Sequence, residues 1–237
     1  MDEHEVLETL KKLSRPENIA GMARFGINTQ NNLGISIVAL RTLAKKIGTD
    51  HALAKHLWDS GIHDARLLAT LVDDPRLVTQ QQMDRWVSAF DSWDVCDQCC
   101  NNLFYKTPYA YDKIDQWCTK DQEYVKRAGF TLIAVLAVHD KQASDERFEH
   151  FFPLIVKGAT DSRNYVKKAV NWALRQIGKR NTTLNKRALA LARDLKQQES
   201  PAARWIATDA IRELTSDKIQ HSLNTKKKKT TGKKKGS

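Results

Sequence analysis

The chain has 237 residues, which is long enough for one large domain or two small ones. Of these residues 41% are hydrophobic and 28% are charged, which is typical of a globular protein. Its formal net charge of +11 favours a polyanionic partner. No apolar run approaches the roughly 18 to 20 residues of a membrane-spanning helix, and the acidic N-terminus lacks the basic start of a signal peptide. We therefore expect a cytoplasmic protein with no membrane segment.

The hydrophobic pattern predicts an all-α fold. Apolar residues recur at three- and four-residue intervals, while strict two-residue alternation is nearly absent. Residues 127–138 are apolar almost all round, as in a helix packed between layers. Residues 168–178 carry one apolar stripe, and Gly178 stands where a helix C-cap is expected.

The helices repeat at a regular interval. A charged residue leads each of several helical runs, most of them rich in Ala and Leu, with steps of 31, 30, 41 and 36 residues between Arg66, Asp97, Arg127, Lys168 and Arg204. Such periods predict stacked helix pairs of the HEAT or armadillo kind, forming a curved solenoid with a concave basic groove. The alternative is an irregular helical bundle with coincidental spacing. In the repeat interpretation, Asp97 is the single acid in a row of cations.

Trp93 and Asp97 form the first candidate site. They are four residues apart, so they share one face of a helix for which Asp91 or Ser92 is a plausible N-cap. An aromatic ring beside a carboxylate suits a cationic group. The alternative is that Trp93 belongs to the core and that Asp94 and Asp97 interact favourably with the helix N-terminus.

The cysteines and histidines do not predict a metal site. Cys96 and Cys99 form one close pair, but no second pair or pair of histidines follows Cys118 at the spacing of a structural zinc site. We expect the cysteines to be small buried hydrophobic residues. The seven histidines show no ligand spacing, and His63 is expected in a turn or a cap.

A second candidate site combines basic and aromatic residues. Lys168, Trp172 and Arg175 share one helical face, and the loop after residue 178 adds Lys179 and Arg180. Charges for phosphates and ring faces for sugars or bases are typical of a nucleic-acid groove. The alternative is a solvated basic helix with a buried tryptophan.

The C-terminal segment differs in composition from the rest. Residues 222–237 contain seven lysines and no acid, which leaves +4 of the net charge of +11 on the remaining residues. Such a segment repels itself and cannot build a core, so we predict a repeat domain over 1–221 and a disordered lysine-rich tail over 222–237. The tail serves either solubility or non-specific attraction to nucleic acid.

The motifs Trp93-Asp94-x-x-Asp97, Arg127 at a helix start, and Lys168-Ala-x-x-Trp172-x-Leu-Arg175 resemble the AlkD-type family of DNA alkylation-repair glycosylases. The resemblance covers roughly residues 5–215. It implies HEAT-like helix pairs with DNA on the concave face. It also implies that Asp97 is the catalytic carboxylate, that Trp93 and Trp172 are active-site tryptophans, and that Arg127 contacts the DNA backbone.

The expected function is that of a monofunctional DNA glycosylase that excises N3- or N7-alkylated purines. The expected partner is alkylated double-stranded DNA, bound by a nucleoid-associated monomer without a cofactor or metal. Two alternatives remain: a non-catalytic binder of branched or damaged DNA, and a HEAT-type protein–protein scaffold. The DNA contacts expected besides the catalytic residues are Arg66, Arg127, Lys168, Arg175, Lys179, Arg180 and Arg204.

Overall fold

The computed structural model describes the backbone of residues 1–233 and the side chains of residues 1–225. Over this range the chain forms α-helices, two short 3-10 helices and connecting loops, without a β-strand. The predicted all-α class is therefore confirmed. None of the described helices is both long and apolar enough to cross a membrane.

The first of two compact units comprises Met1–Tyr111. Its helices are α1 (Glu3–Leu13), α2 (Ile19–Arg24), α3 (Ile37–Ile47), α4 (His51–Asp59), α5 (His63–Val72), α6 (Gln80–Ser88) and α7 (Trp93–Asn102). Helix α5 packs against α3, α4 and α7. The core of this unit includes the stacked rings of Trp58 and Trp86, whose centroids are 4.0 Å apart.

The second unit begins at Asp112, within α8 (Ala110–Trp117). It continues with α9 (Glu123–His139), α10 (Asp145–Glu149), α11 (Phe152–Gly158), α12 (Asn164–Gly178), α13 (Thr182–Lys196), α14 (Pro201–Leu214) and α15 (Asp217–Lys233). Helix α12 contacts α9, α11, α13 and α14. The predicted apolar stretch in 127–138 lies in α9, where nearly every side chain is buried.

The predicted helical repeat corresponds to real helices. Helix α7 begins at Trp93 with Ser92 as its N-cap, as predicted, but the starts of the other four helices of the series were predicted too late. The charged residues of the series lie on α5, α7, α9, α12 and α14, three or four residues after each helix begins. The first turn of a helix has free amide groups and accommodates polar residues. The apolar run used for the prediction therefore starts about one turn inside the helix.

Gly178 is not the predicted C-cap. It is the last residue of α12, and Lys179 is the C-cap, with right-handed backbone angles. A Cβ atom on Gly178 would lie 2.6 Å from Leu214 Cδ1 and 3.1 Å from Ala188 Cβ. Glycine is needed here because α13 and α14 pack closely against the end of α12.

The proposed boundary at residue 221 lies inside α15, which runs without a break to Lys233. This helix includes part of the segment 222–237 for which the sequence predicts disorder. Residues 234–237, and the side chains after residue 225, lie outside the described part of the chain. The lysine-rich tail and its separation from the repeat domain stay predictions.

Candidate functional site

Helix α7 places Trp93 and Asp97 one turn apart. Trp93 is the first residue of the helix, and both side chains are half-buried. The indole Nε1 of Trp93 donates a hydrogen bond of 2.9 Å to the carbonyl oxygen of Phe25, whose own side chain is 76% exposed. Trp93 is thus held at the edge of the core, with its ring orientation fixed by the N-terminal segment.

Three polar side chains, which we call the orienting network, hold the start of α7. Asp94 accepts a hydrogen bond of 2.5 Å from the Ser92 hydroxyl, and its other carboxylate oxygen lies 2.9 Å from His63 Nε2. His63 is buried at the first position of α5. The network therefore ties the beginning of α5 to the turn that carries Trp93.

The two titratable groups of this network stabilise each other's charged forms. Burial on its own would raise the pKa of Asp94, but the hydrogen bonds from His63 and Ser92 and the charge of His63 leave that pKa below its ordinary value. Burial would lower the pKa of His63, but Asp94 holds it above its ordinary value. Each group therefore keeps its charged form over a wider pH range than it would in the unfolded chain.

The starts of α5 and α7 also hold the irregular segment that joins α2 to α3. The Asn28 backbone amide donates to Ser92 Oγ at 3.2 Å, and the Asn28 side chain donates to Asp91 at 2.9 Å. The buried Asp64 carboxylate accepts from the amides of Leu33 and Ile35 at 2.6 and 2.9 Å. An irregular segment without its own helical hydrogen bonds is thereby fixed against α5 and α7.

Arg66, a predicted DNA contact, lies on α5 and is largely covered. Its guanidinium lies over the Trp58 ring at 5.5 Å and reaches the Asp91 carboxylate and the Ala89 carbonyl, each at 3.5 Å. Its side chain is 19% exposed. Arg66 therefore lies beside Asp91, the acid that also accepts a hydrogen bond from Asn28. Contact between Arg66 and DNA stays a prediction.

Arg127 lies on α9 in the second unit and is buried. Its guanidinium donates a hydrogen bond of 2.7 Å to the carbonyl oxygen of Tyr165, in the first turn of α12. Tyr165 also stacks on Tyr124, with ring centroids 5.8 Å apart. These contacts give the side chain of Arg127 one fixed orientation.

Lys168 and Trp172 occupy successive turns of α12, as predicted from their spacing. The side chain of Lys168 is exposed and that of Trp172 is half-buried. The alternative of a solvated basic helix with a buried tryptophan describes α12 only in part, because Lys168 is exposed but Trp172 is half-buried.

Arg175 and Lys179 are paired with acids of α14. Lys179 Nζ lies 2.7 Å from Glu213, and Arg175 forms ion pairs with Glu213 and, at 3.6 Å, with Asp209. Burial would raise the pKa of Glu213, but Lys179 and Arg175 lower it below its ordinary value. Sequence spacing identified these cations but not the acids that neutralise them, and their contact with DNA stays a prediction.

Arg180 supports the backbone at the end of α9 and in the loop that leads to α10. Its guanidinium donates to the carbonyl oxygens of Ala137, Asp140 and Ala143, at 2.9, 2.7 and 2.9 Å, and lies 3.9 Å from the ring centre of Phe148. These contacts account for three of its donors. DNA contact by Arg180 was predicted from composition and stays a prediction.

Arg204 is exposed in the first turns of α14, with a hydrogen bond of 3.3 Å to the Gln198 carbonyl. Its neighbour Trp205 is exposed too, and Lys167 Nζ lies 4.8 Å from the centre of that ring. Sequence reasoning did not select Trp205, because only the charged residue of the Arg-Trp pair matched the repeat pattern.

The predicted residues are divided between the two units. Trp93, Asp97 and Arg66 belong to the first, whereas Arg127, Trp172 and the other predicted cations belong to the second. Sequence reasoning missed the orienting role of His63 and of Asp94. Their spacing of 31 residues, equal to the step from Arg66 to Asp97, was the signal that could have indicated contact.

The four cysteines are buried and unbridged, in agreement with the expectation that they pack as small hydrophobic residues. Burial raises the pKa values of Cys99 and Cys100 well above the ordinary thiol value. Such thiols are poor nucleophiles and poor metal ligands. Among the described residues, no group of three or more His, Cys, Asp or Glu side chains is arranged to hold a metal ion.

Comparisons with known proteins identify the relatives of this chain. A family model described as DNA alkylation repair enzyme matches residues 6–214. A search of curated proteins gives no match. One solved structure superimposes with a TM-score of 0.75 at 21% identity, covering 90% of this chain and 95% of its own; it is described as a new family of proteins related to the HEAT-like repeat DNA glycosylases with affinity for branched DNA structures.

A designed armadillo repeat protein in complex with a peptide also matches, with a TM-score of 0.37 and 13% identity over 79% of this chain and 89% of its own. That likeness is too weak to support an argument. The match at a TM-score of 0.75 confirms the predicted HEAT-like repeat fold.

Proposed function

Because the chain belongs to the family of DNA alkylation repair enzymes, we propose that it is a monofunctional DNA glycosylase. Its substrates are N3- and N7-alkylated purines in double-stranded DNA. The observation that carries the proposal is the pair Trp93 and Asp97 on consecutive turns of α7, beside a carboxylate, a hydroxyl and an imidazole that fix the start of that helix. No cofactor is needed for the reaction proposed.

The chemistry requires few groups because the leaving base is already cationic. Alkylation at N3 or N7 places a positive charge on the purine, so the electron pair of the glycosidic bond passes to the ring and the base departs neutral. The sugar develops positive charge at C1′, and the Asp97 carboxylate stabilises it electrostatically. Water then adds to C1′ and transfers its proton to Asp97, from which it passes to solvent.

The aromatic residues and Arg127 have supporting roles in this proposal. The ring face of Trp93, and that of Trp172, stabilise the cationic sugar by cation–π interaction. Arg127 binds a backbone phosphate of the lesion nucleotide. The hydrogen bonds from Trp93 to Phe25 and from Arg127 to Tyr165 support these roles. A side chain that is already held in place loses less conformational entropy when DNA binds.

The direct test is the release of 7-methylguanine from methylated duplex DNA. We expect the wild-type chain to release the free base and Asp97→Asn to lose about 100-fold or more of the rate. The amide keeps the shape of the side chain and removes its charge, so DNA affinity should be equal or higher. Asp194→Asn, at an exposed acid of α13, is the matched control and should keep full activity.

Two results separate the assignment of the residue from the assignment of the reaction. Full base release by Asp97→Asn would mean that another group stabilises the sugar. No base release by the wild-type chain, together with tight binding to DNA, would favour a non-catalytic binder of branched or damaged DNA. That second function is suggested by the structural neighbour described as having affinity for branched DNA structures.

A further inference from the structure

Trp205 is the most exposed of the six tryptophans. Its side chain is 42% exposed, whereas Trp58, Trp86 and Trp117 are at most 3% exposed. An indole in water forgoes the stabilisation that burial would give. An exposed ring of this size is therefore a candidate contact for a partner, provided that its surroundings favour a particular ligand.

The position of Trp205 is set by the packing of α12 against α14. Three side-chain pairs, which we call the α12–α14 ladder, join these helices, and the partners of each pair are 38 residues apart: Lys167–Trp205, Asn171–Asp209 and Arg175–Glu213. Successive pairs are one helical turn apart on both helices. Trp205 is thus held in register on a rigid element.

The ladder changes its chemistry along its length. Arg175 faces carboxylates, and Asn171 donates to Asp209 at 2.7 Å. In the first pair, by contrast, the ammonium of Lys167 lies over an aromatic ring, and among the described residues it forms no ion pair with a carboxylate. The positive charge at this end of the ladder is therefore available to an anion.

The turns around the ring are basic. Lys168 and Arg204 are exposed beside Lys167 and Trp205, and neither 162–174 nor 200–208 contains an acid. Aromatic faces combined with cations are what single-stranded nucleic acids require, since bases stack on rings while phosphates pair with charges. The bases inside an intact duplex stack on one another, so an exposed ring is available chiefly to an unpaired nucleotide.

We infer that Trp205 and Lys167 form a stacking site for an unpaired nucleotide of the bound DNA. The base or sugar stacks on the free face of the indole, and its phosphate is bound by Lys167, Lys168 and Arg204. This inference rests on the proposed function, since it assumes that the chain binds DNA. It adds a substrate class, duplex with an adjoining single strand, as at a fork or a branch.

The test compares two DNA probes with the full-length chain. One is an undamaged duplex, and the other is the same duplex with a single-stranded extension of thymidines. Wild type should prefer the extended probe, and Trp205→Ala should lose about tenfold or more of its affinity for that probe while binding the plain duplex nearly as before. Trp205→Phe keeps a stacking ring and should retain most of the preference.

Leu77→Ala, at another exposed apolar residue, is the matched control and should behave as wild type. Lys167→Gln should weaken binding of the extended probe more than binding of the duplex. The inference is overturned if Trp205→Ala keeps the full preference, or if it loses affinity for both probes equally. Failure of the wild type to bind either probe at low salt would instead overturn DNA binding, and with it the proposed function.

Discussion

The starts of α5 and α7 in the first unit and the α12–α14 ladder in the second use charged groups in opposite ways. Around α5 and α7 the acids Asp64, Asp91 and Asp94 accept hydrogen bonds from amides, a hydroxyl and an imidazole. Two of them, Asp64 and Asp91, hold the irregular segment between α2 and α3. At one end of the ladder, by contrast, Glu213 of α14 neutralises Arg175 and the neighbouring Lys179 of α12. The first region fixes the geometry of a small site, and the second aligns long helices.

This difference means that the predicted cations are not equivalent. Arg175, Lys179 and Arg180 are engaged within the protein, whereas Lys168 and Arg204 are exposed at the first turns of their helices. Phosphate contacts are therefore expected mainly at the helix starts.

The largest effect on folding is expected from His63→Ala. It removes the partner of a mostly buried carboxylate, so the free energy of unfolding should fall by about 2 to 3 kcal/mol. Urea denaturation measures this. His56→Ala breaks an exposed pair with Glu3 and should cost less than about 0.5 kcal/mol. Equal losses for the two variants would show that the orienting network contributes little to stability.

The next effect concerns the exposed cations. The double variant Lys168→Ala/Arg204→Ala should reduce the slope of log affinity against log salt by about 2 and weaken binding to duplex DNA about tenfold at low salt. Lys186→Ala/Lys196→Ala on α13 removes the same charge from exposed positions of a different helix and should change the slope less. If the two double variants behave alike, general charge and not a defined surface determines binding.

A smaller effect should appear in the pH dependence of stability. The raised pKa of His63 stabilises the fold below about pH 6.5, the unfolded value, and this contribution is lost as the pH rises through the folded pKa. The lowered pKa of Asp94 stabilises it above about pH 4, and this is lost as the pH falls through the folded pKa. The pair should therefore contribute most between about pH 4 and pH 6.5.

Asp94→Asn checks this assignment, because the amide cannot form the ion pair. Chemical denaturation at a series of pH values should give a flatter profile for this variant than for wild type over the window above. Parallel profiles would assign the pH dependence to other groups.

The smallest effect is expected from Glu213→Gln. The substitution weakens the hold on Arg175 and Lys179, so affinity for duplex DNA should rise a few-fold, with less than about 1 kcal/mol lost in stability. Asp194→Asn makes the same change in net charge and should raise affinity less. A titration with fluorescent duplex measures both. An equal rise would contradict the idea that Glu213 restrains these two cations.

The fold was largely predictable from the sequence, because helical periodicity and a repeating interval depend on local residue patterns. Asp97 and Trp93 were predictable as a pair for the same reason, since four residues define one face. What was missed depends on contacts between helices. Nothing in the sequence around Arg175 indicates that Glu213 faces it. Gly178 was predicted to be a C-cap because its close packing against Leu214 cannot be read from the local sequence.

His63 shows the same limit. A histidine at a helix start is usually a local cap, and only the packing of α5 against α7 turns it into the partner of Asp94. Trp205 was overlooked because exposure cannot be read from residue type, and a tryptophan within an apolar stripe is normally assigned to the core.

The segment fixed by Ser92 and Asp64 provides a natural reporter for the start of α7. The amide hydrogens of Asn28, Leu33 and Ile35 are bonded to side chains of that region and not to a helix of their own. They exchange with deuterium only when these contacts open. Their exchange rates therefore measure how often the region around Trp93 loses its order, at positions that take no part in the proposed chemistry.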